Sequence, residues 1–158
     1  MTFNRRKHKG RSEGGTFFTI PHAVMDSPNW RALPTRALKL ICDLGRQYRG
    51  NNNGDLCAAW KVLKPMGWKS RDTIKGAIID ALRFGMIEKT RQGGLHKCSL
   101  YALTWLAIDE CGGKMDVSGT RVASGNWKRS PPPADKQNAS TESVSIKHGI
   151  RVNSSKAA

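Results

Sequence analysis

The feature that most constrains this chain is a change of hydrophobic period inside residues 56–105, LCAAWKVLKPMGWKSRDTIKGAIIDALRFGMIEKTRQGGLHKCSLYALTW. Ala58, Ala59, Trp60 and Leu63 predict a short helix over 57–64, which Pro65 cannot continue because it lacks an amide donor and clashes with the preceding turn. Pro65-Met66-Gly67-Trp68 then reads as a turn. Ser70 is a good N-cap, and Asp72 sits where the helix dipole favours a carboxylate. Ile74, Ala77, Ile78, Ala81 and Leu82 recur at three- and four-residue intervals, the buried stripe of a helix over 70–84. Gly85 ends it as a left-handed cap. Residues 86–91 read as a strand, Gly93-Gly94 as a hairpin turn and 95–105 as the returning strand. Two helices across a tight turn followed by a hairpin is an α+β order.

The preceding residues supply the rest of one core. The run TFFTIPHAVM is apolar, and Pro21 and Ser27-Pro28 each suit a short helical turn, with Asp26 or Ser27 as the second cap. Leu33, Leu38, Leu40, Ile41 and Leu44 predict a helix over 34–48, ended by the turn-rich Gly50-Asn51-Asn52-Asn53-Gly54. Asp55-Leu56 reads as a very short strand. Residues 106–117 form a short extension that packs back on the domain. The domain is therefore placed at 16–117, with a disordered basic arm at 1–15 and a disordered tail at 118–158, whose aliphatics are too sparse to offset the entropy of ordering.

Charge narrows the partner. The net charge of +15 is uneven: +4 over 1–15, +2 over 16–55, +6 over 56–98, −1 over 99–127 and +4 over 128–158. A basic excess of this size favours a polyanion, because neutralising phosphates releases condensed counterions. Cys42, Cys57, Cys98 and Cys111 form no CxxC pair and suit a reducing cytoplasm. His96-x-Cys98 has no second ligand pair, so no metal site is expected, and no cofactor or small-molecule substrate. No run approaches the roughly 20 apolar residues that span a bilayer. The expected location is cytoplasmic.

A helix lying in the major groove brings its first turns closest to the base edges. Here those turns offer Lys69, Ser70, Arg71, Thr73 and Lys75, of which Arg71 can donate two hydrogen bonds to a guanine. Lys61 and Lys64 face the DNA backbone, and Lys89, Arg91, Gln92 and Lys97 surround the hairpin. Gly76 and Ile79, with Asp72 and Arg83, are assigned to the centre of the helix face opposite the core. Gly76 and Ile79 fit close approach to DNA or a protein interface, with Arg83 beside them. A mid-helix glycine costs on the order of 1 kcal/mol relative to alanine.

Enzymatic readings find no support in the residues. Asp109 and Glu110 are adjacent and point apart on regular structure, the histidines are scattered at 8, 22, 96 and 148, and the glycines make no phosphate loop.

Six segments carry a family resemblance. They are Ser27-Pro28-x-Trp30-Arg31-Ala32-Leu33, Arg36-Ala37-Leu38-Lys39-Leu40, Asn52-Asn53-Gly54-Asp55-Leu56 and Ser70-x-Asp72-Thr73-Ile74, then Gly85-Met86-Ile87-x-Lys89-Thr90-Arg91-Gln92-Gly93-Gly94 and Ser99-Leu100-Tyr101-Ala102-Leu103-Thr104-Trp105. Residues 30–117 resemble the winged helix-turn-helix proteins of bacterial plasmids, prophages and integrated elements, and are similar to the DNA-binding domains of plasmid replication initiators. The resemblance implies a three-helix core with a hairpin wing and double-stranded DNA as partner, in a transcription regulator or replication accessory of a mobile genetic element. The alternative is an element-encoded protein that uses the same fold to bind a host protein, for example an anti-defence factor. A homodimer would match two half-sites, although no long heptad is present.

Overall fold

Two helices carry the core, and the sheet closes over them. The computed structural model describes residues 16–133. Its elements are α1 (His22–Met25), α2 (Pro28–Arg31), α3 (Thr35–Gly45), β1 (Leu56–Cys57), α4 (Trp60–Leu63), α5 (Arg71–Arg83), β2 (Ile87–Arg91) and β3 (Leu100–Leu103). The class is α+β, with one three-stranded antiparallel sheet in the order β1-β3-β2.

Leu40, Ile41 and Leu44 of α3 meet Ile74, Ala77 and Ala81 of α5, and Leu56, Ile87, Tyr101 and Leu103 cover them from the sheet. α3 stops at Gly45, three residues earlier than expected, and Phe18 explains the glycine. A Cβ at Gly45 would fall 2.3 Å from the Phe18 ring, which also meets Tyr48 edge-on and packs against Trp105. The cap of α2 is Ser27, whose Oγ accepts from the Trp30 amide (3.2 Å) and donates to the Val24 carbonyl (2.6 Å).

α4 is shorter than the helix expected over 57–64. Cys57 lies in β1, opposite Leu100, and Pro65 occupies the first turn of a 3-10 segment, Lys64–Met66, where it leaves no donor unpaired. Gly67, at φ +88°, ends that segment.

The end of α5 follows the expectation. The Gly85 amide donates to the Leu82 carbonyl and the Met86 amide to the Ala81 carbonyl, with Gly85 at φ +66°. This pair of bonds satisfies the last carbonyls of the helix.

The hairpin is looser than the sequence suggests, because β3 begins only at Leu100 and residues 92–99 form a loop. Both faces of β3 are buried: Tyr101 and Leu103 join the helical core, while Leu100 and Ala102 lie outside that cluster. The register shifts between Lys89 and Arg91, and Thr90 there donates from Oγ1 to the Gly54 carbonyl (2.6 Å). On the outer side of β2 the Asp116 amide donates to the Thr90 carbonyl and the Gln92 amide to Asp116 Oδ2. The 106–117 extension thus packs back and covers a strand edge that would otherwise be open.

The tail expected from Ser118 needs correction over 118–133. Thr120 exchanges two hydrogen bonds with Ile108, and the Gly125 amide donates to the Thr104 carbonyl. Trp127 packs against the core. Buried Asn29 donates from Nδ2 to the carbonyls of Trp127 (3.0 Å) and Arg129 (2.6 Å). One tryptophan and a set of backbone bonds hold a strap in which aliphatic residues are scarce. The expected basic arm at 1–15, and the remainder of the tail at 134–158, lie outside the described residues. Among the described residues, no helix is long and apolar enough to cross a membrane.

Candidate functional site

The site is built on the α4–turn–α5 unit, and α3 holds that unit in place. Asp43 accepts from Trp68 Nε1 (2.6 Å) and pairs with Lys39 (2.7 Å). Lys39 also donates to the Met66 carbonyl (2.9 Å) and lies 5.1 Å from the centre of the Trp68 ring. The turn is therefore clamped at both ends, a network that helical periodicity alone does not reveal.

α5 starts at Arg71 because Ser70, in extended backbone, accepts on Oγ from the Asp72 amide (3.1 Å). That bond gives Ser70 a structural task. Lys69, Arg71, Thr73 and Lys75 are exposed around this start, as are Lys61 and Lys64 on and just after α4. The Arg71 guanidinium lies 5.8 Å from the centre of the Trp60 ring. A cation over an indole face gains about 0.5–1 kcal/mol at an exposed site, so Trp60, which also packs against the core, is a platform for Arg71.

Two flanks of α5 have different neighbours. Arg71, Lys75, Ile78 and Leu82 share a strip at helical spacing. Ile78 lines a crevice of about 230 Å³ with Ala58, Ala59, Cys98, Ser99 and Tyr101, so this strip faces the base of the hairpin. Next to Ala58 in the chain, burial pushes the Cys57 thiol up to about 11, and the neighbouring Cys98 adds to the effect. Burial also raises Tyr101. On the opposite flank, Asp80 is buried and pairs with Arg36 of α3.

Gly76 belongs to that second flank, which corrects its assignment to the open face. A Cβ there would lie 3.1 Å from the Arg36 guanidinium carbon. The glycine lets a side chain of α3 cross α5, and it needs no external partner. Arg83 is likewise engaged, donating to the Pro133 carbonyl of the strap and lying 6.0 Å from the Phe84 ring. Of the three residues assigned to a protein interface, Ile79 alone presents an unengaged apolar side chain, 53% exposed.

The hairpin residues divide in the same way. Arg91 donates from Nε and Nη2 to the Cys98 carbonyl (3.1 and 3.0 Å) and from Nη1 to the Lys114 carbonyl (3.1 Å). It ties the hairpin to the extension and is half-buried. Lys89 is exposed and donates to Gln92 Oε1 (2.9 Å). Lys97 is exposed at the loop, beside Leu95, the most exposed large apolar residue described.

Among the described residues, no ion pair neutralises Lys61, Lys64, Lys69, Arg71, Lys75 or Lys97, whereas Asp43, Asp55 and Asp80 each hold a cation. Part of the surplus charge therefore stands on α4, on the start of α5 and at the hairpin loop. No family model, curated protein or solved structure matches the chain.

Proposed function

We propose that the chain is a duplex DNA-binding protein of the winged helix-turn-helix type. In this reading α3, α4 and α5 are the three-helix core, α5 is the recognition helix and β2–β3 with its loop is the wing. The observation that carries it is the set of cations on α4, at the start of α5 and at the hairpin loop that lack an acidic partner among the described residues. Arg71 and Lys75, on the strip facing the hairpin, make the base and phosphate contacts in the major groove, with Thr73 beside them. Lys61, Lys64 and Lys69 take backbone phosphates, and Lys89 and Lys97 meet the DNA at the wing. Ser70 and Arg91 support the site from within. A role as transcription regulator or replication accessory of a mobile element rests on the family resemblance, and no catalytic step is part of the proposal.

Fluorescence anisotropy on a mixed-sequence duplex over a salt series tests this. The logarithm of affinity falls linearly with the logarithm of salt, by about 0.9 for each phosphate neutralised. Arg71→Ala and Lys75→Ala weaken binding, and no binding at low salt would overturn the proposal. A second reading, contact with a host protein, draws on the exposure of Ile79. It predicts that Ile79→Asp abolishes capture of the partner while Arg71→Ala leaves it intact.

A further inference from the structure

A second surface, which shares Met66 with the α4–α5 turn, is an open groove of about 1680 Å³ at the C-terminal end of α3. Phe17, Phe18, Arg46, Tyr48, Arg49 and Asn52 are among the residues that line it. Its walls are held from within. Phe18 is seated on Gly45 and against Tyr48 and Trp105. Asn52 accepts on Oδ1 from the Arg49 amide (2.7 Å) and donates from Nδ2 to the Gln47 carbonyl (3.0 Å).

What the walls present is specific. The Phe17 ring is 78% exposed. Arg46 and Arg49 are exposed and have no acidic partner among the described residues, while the acidic residue lining the groove, Asp55, is held by Lys114 at 2.6 Å. The groove therefore offers an uncovered aromatic face beside two free guanidinium groups. Residues 1–15 join the chain at its lip, at Thr16, and carry five Lys/Arg against one Glu. Like charge makes that segment a poor occupant beside Arg46 and Arg49.

We propose that this groove binds unpaired nucleotides of a single-stranded nucleic acid, with Phe17 stacked on a base and Arg46 and Arg49 on flanking phosphates. Paired bases in a duplex hide their faces from a side chain, whereas unpaired bases stack on an aromatic ring whatever their identity. The groove is separate from the duplex-binding surface proposed above, and its occupancy does not depend on that proposal.

The test uses the full chain and fluorescein-labelled oligo(dT) or oligo(rU) of about twelve nucleotides, within the span such grooves accommodate. Titrations are run with and without saturating unlabelled duplex. Binding of one oligonucleotide persists in the presence of duplex. Phe17→Ala weakens it about tenfold, the scale of one lost base stack, and Phe17→Trp restores it. Arg46→Glu with Arg49→Glu weakens it further, and Arg71→Ala leaves it unchanged. Thermal melting confirms that each variant is folded. A preference between the two oligonucleotides distinguishes DNA from RNA as the occupant. The proposal is overturned if duplex displaces the oligonucleotide completely, if Phe17→Ala binds like the parent chain, or if polyglutamate competes as well as oligo(dT).

Discussion

Arg36 of α3 reaches across Gly76 to Asp80 of α5, with Nε 2.5 Å from Oδ2. The two helices are pinned by an ion pair as well as by their apolar stripes, and the hydrogen bond to Asp80 raises the Arg36 pKa. The Asp80 side chain is 11% exposed and that of Arg36 is 43% exposed, so solvent screens one partner. Asp80→Ala is accordingly expected to cost about 1–2 kcal/mol, below the range for a fully buried pair. Chemical denaturation of the variant measures it.

Gly76 couples to the same pair. Alanine at an interior helix position gains about 1 kcal/mol over glycine, but here its Cβ meets the Arg36 guanidinium at 3.1 Å. Gly76→Ala is therefore expected to be nearly neutral in the parent chain and stabilising by about 1 kcal/mol in an Arg36→Ala background. Equal effects in both backgrounds would show that the glycine is not there for Arg36.

These helices also mark what the sequence makes legible. The stripe on α5, its Ser70 cap and its Gly85 stop follow from local rules and were readable, as were the α+β order and the apolar face of α3. Asp80 was not. Its partner lies 44 residues away in sequence, and a polar residue on a helix flank reads as solvated until the neighbouring helix is placed. Gly76 was misplaced for the same reason. The strap at 118–133 escaped because backbone bonds and one tryptophan hold it, and neither leaves a periodic signal. At the candidate site the cations were legible as charge. That Arg91 and Ser70 are bonded to the backbone depends on carbonyls and amides whose positions only the fold supplies.

Asn53 is fully buried and is the polar hub behind the sheet. Its Nδ2 donates to the carbonyls of Leu103, Leu106 and Ala107, and its Oδ1 accepts from the Leu103 amide. Asn53→Ala leaves these groups unpaired and is expected to cost about 3 kcal/mol. Asn53→Asp, which would point a carboxylate oxygen at three carbonyls, should be worse. Midpoints of urea unfolding rank the two, and a milder effect for aspartate would contradict the hydrogen-bond assignment.

Cys57 carries a pH signature. Its ordinary pKa of 9.0 is raised to about 11 in the folded chain, chiefly by burial. The unfolded chain loses this proton first as pH rises, so the contribution of the neutral thiol is complete below pH 9 and is lost between about 9 and 11. Tyr101 and Cys111 shift in the same direction, so Cys57→Ala should flatten the alkaline decline without abolishing it. In thiol labelling at pH about 8, exposed Cys42 should react first and Cys57 slowly.

Arg91 and Lys97 lie on the same hairpin and should fail differently. Arg91→Ala removes a guanidinium bonded to the Cys98 and Lys114 carbonyls, so it should lower the melting temperature. Lys97→Ala, at an exposed cation without an acidic partner, should leave the melting temperature unchanged and reduce duplex affinity and its salt slope by about one phosphate. Melting and anisotropy on both variants separate the roles, and the reverse pattern would exchange them.

The strap gives the last prediction. A chain ending at 117 loses Trp127 from the core, leaves Asn29 Nδ2 without the Trp127 and Arg129 carbonyls, and frees the Thr104 carbonyl. One buried aromatic and one unpaired buried amide together are worth several kcal/mol, a large part of the stability of a domain this size. A chain ending at 133 keeps all of these contacts. The expected result is that truncation after 133 leaves the melting temperature within a few degrees of the full chain, while truncation after 117 lowers it by about 10 °C or more. Gly85→Ala probes the same junction from the other side, since its Cβ would fall 2.5 Å from the Asn126 carbonyl oxygen while its φ of +66° strains the residue. The strain remains in the chain ending at 117 but the clash does not, so the substitution should cost less there. An equal cost in both chains would place the whole effect in the backbone of Gly85 and remove the strap from the account.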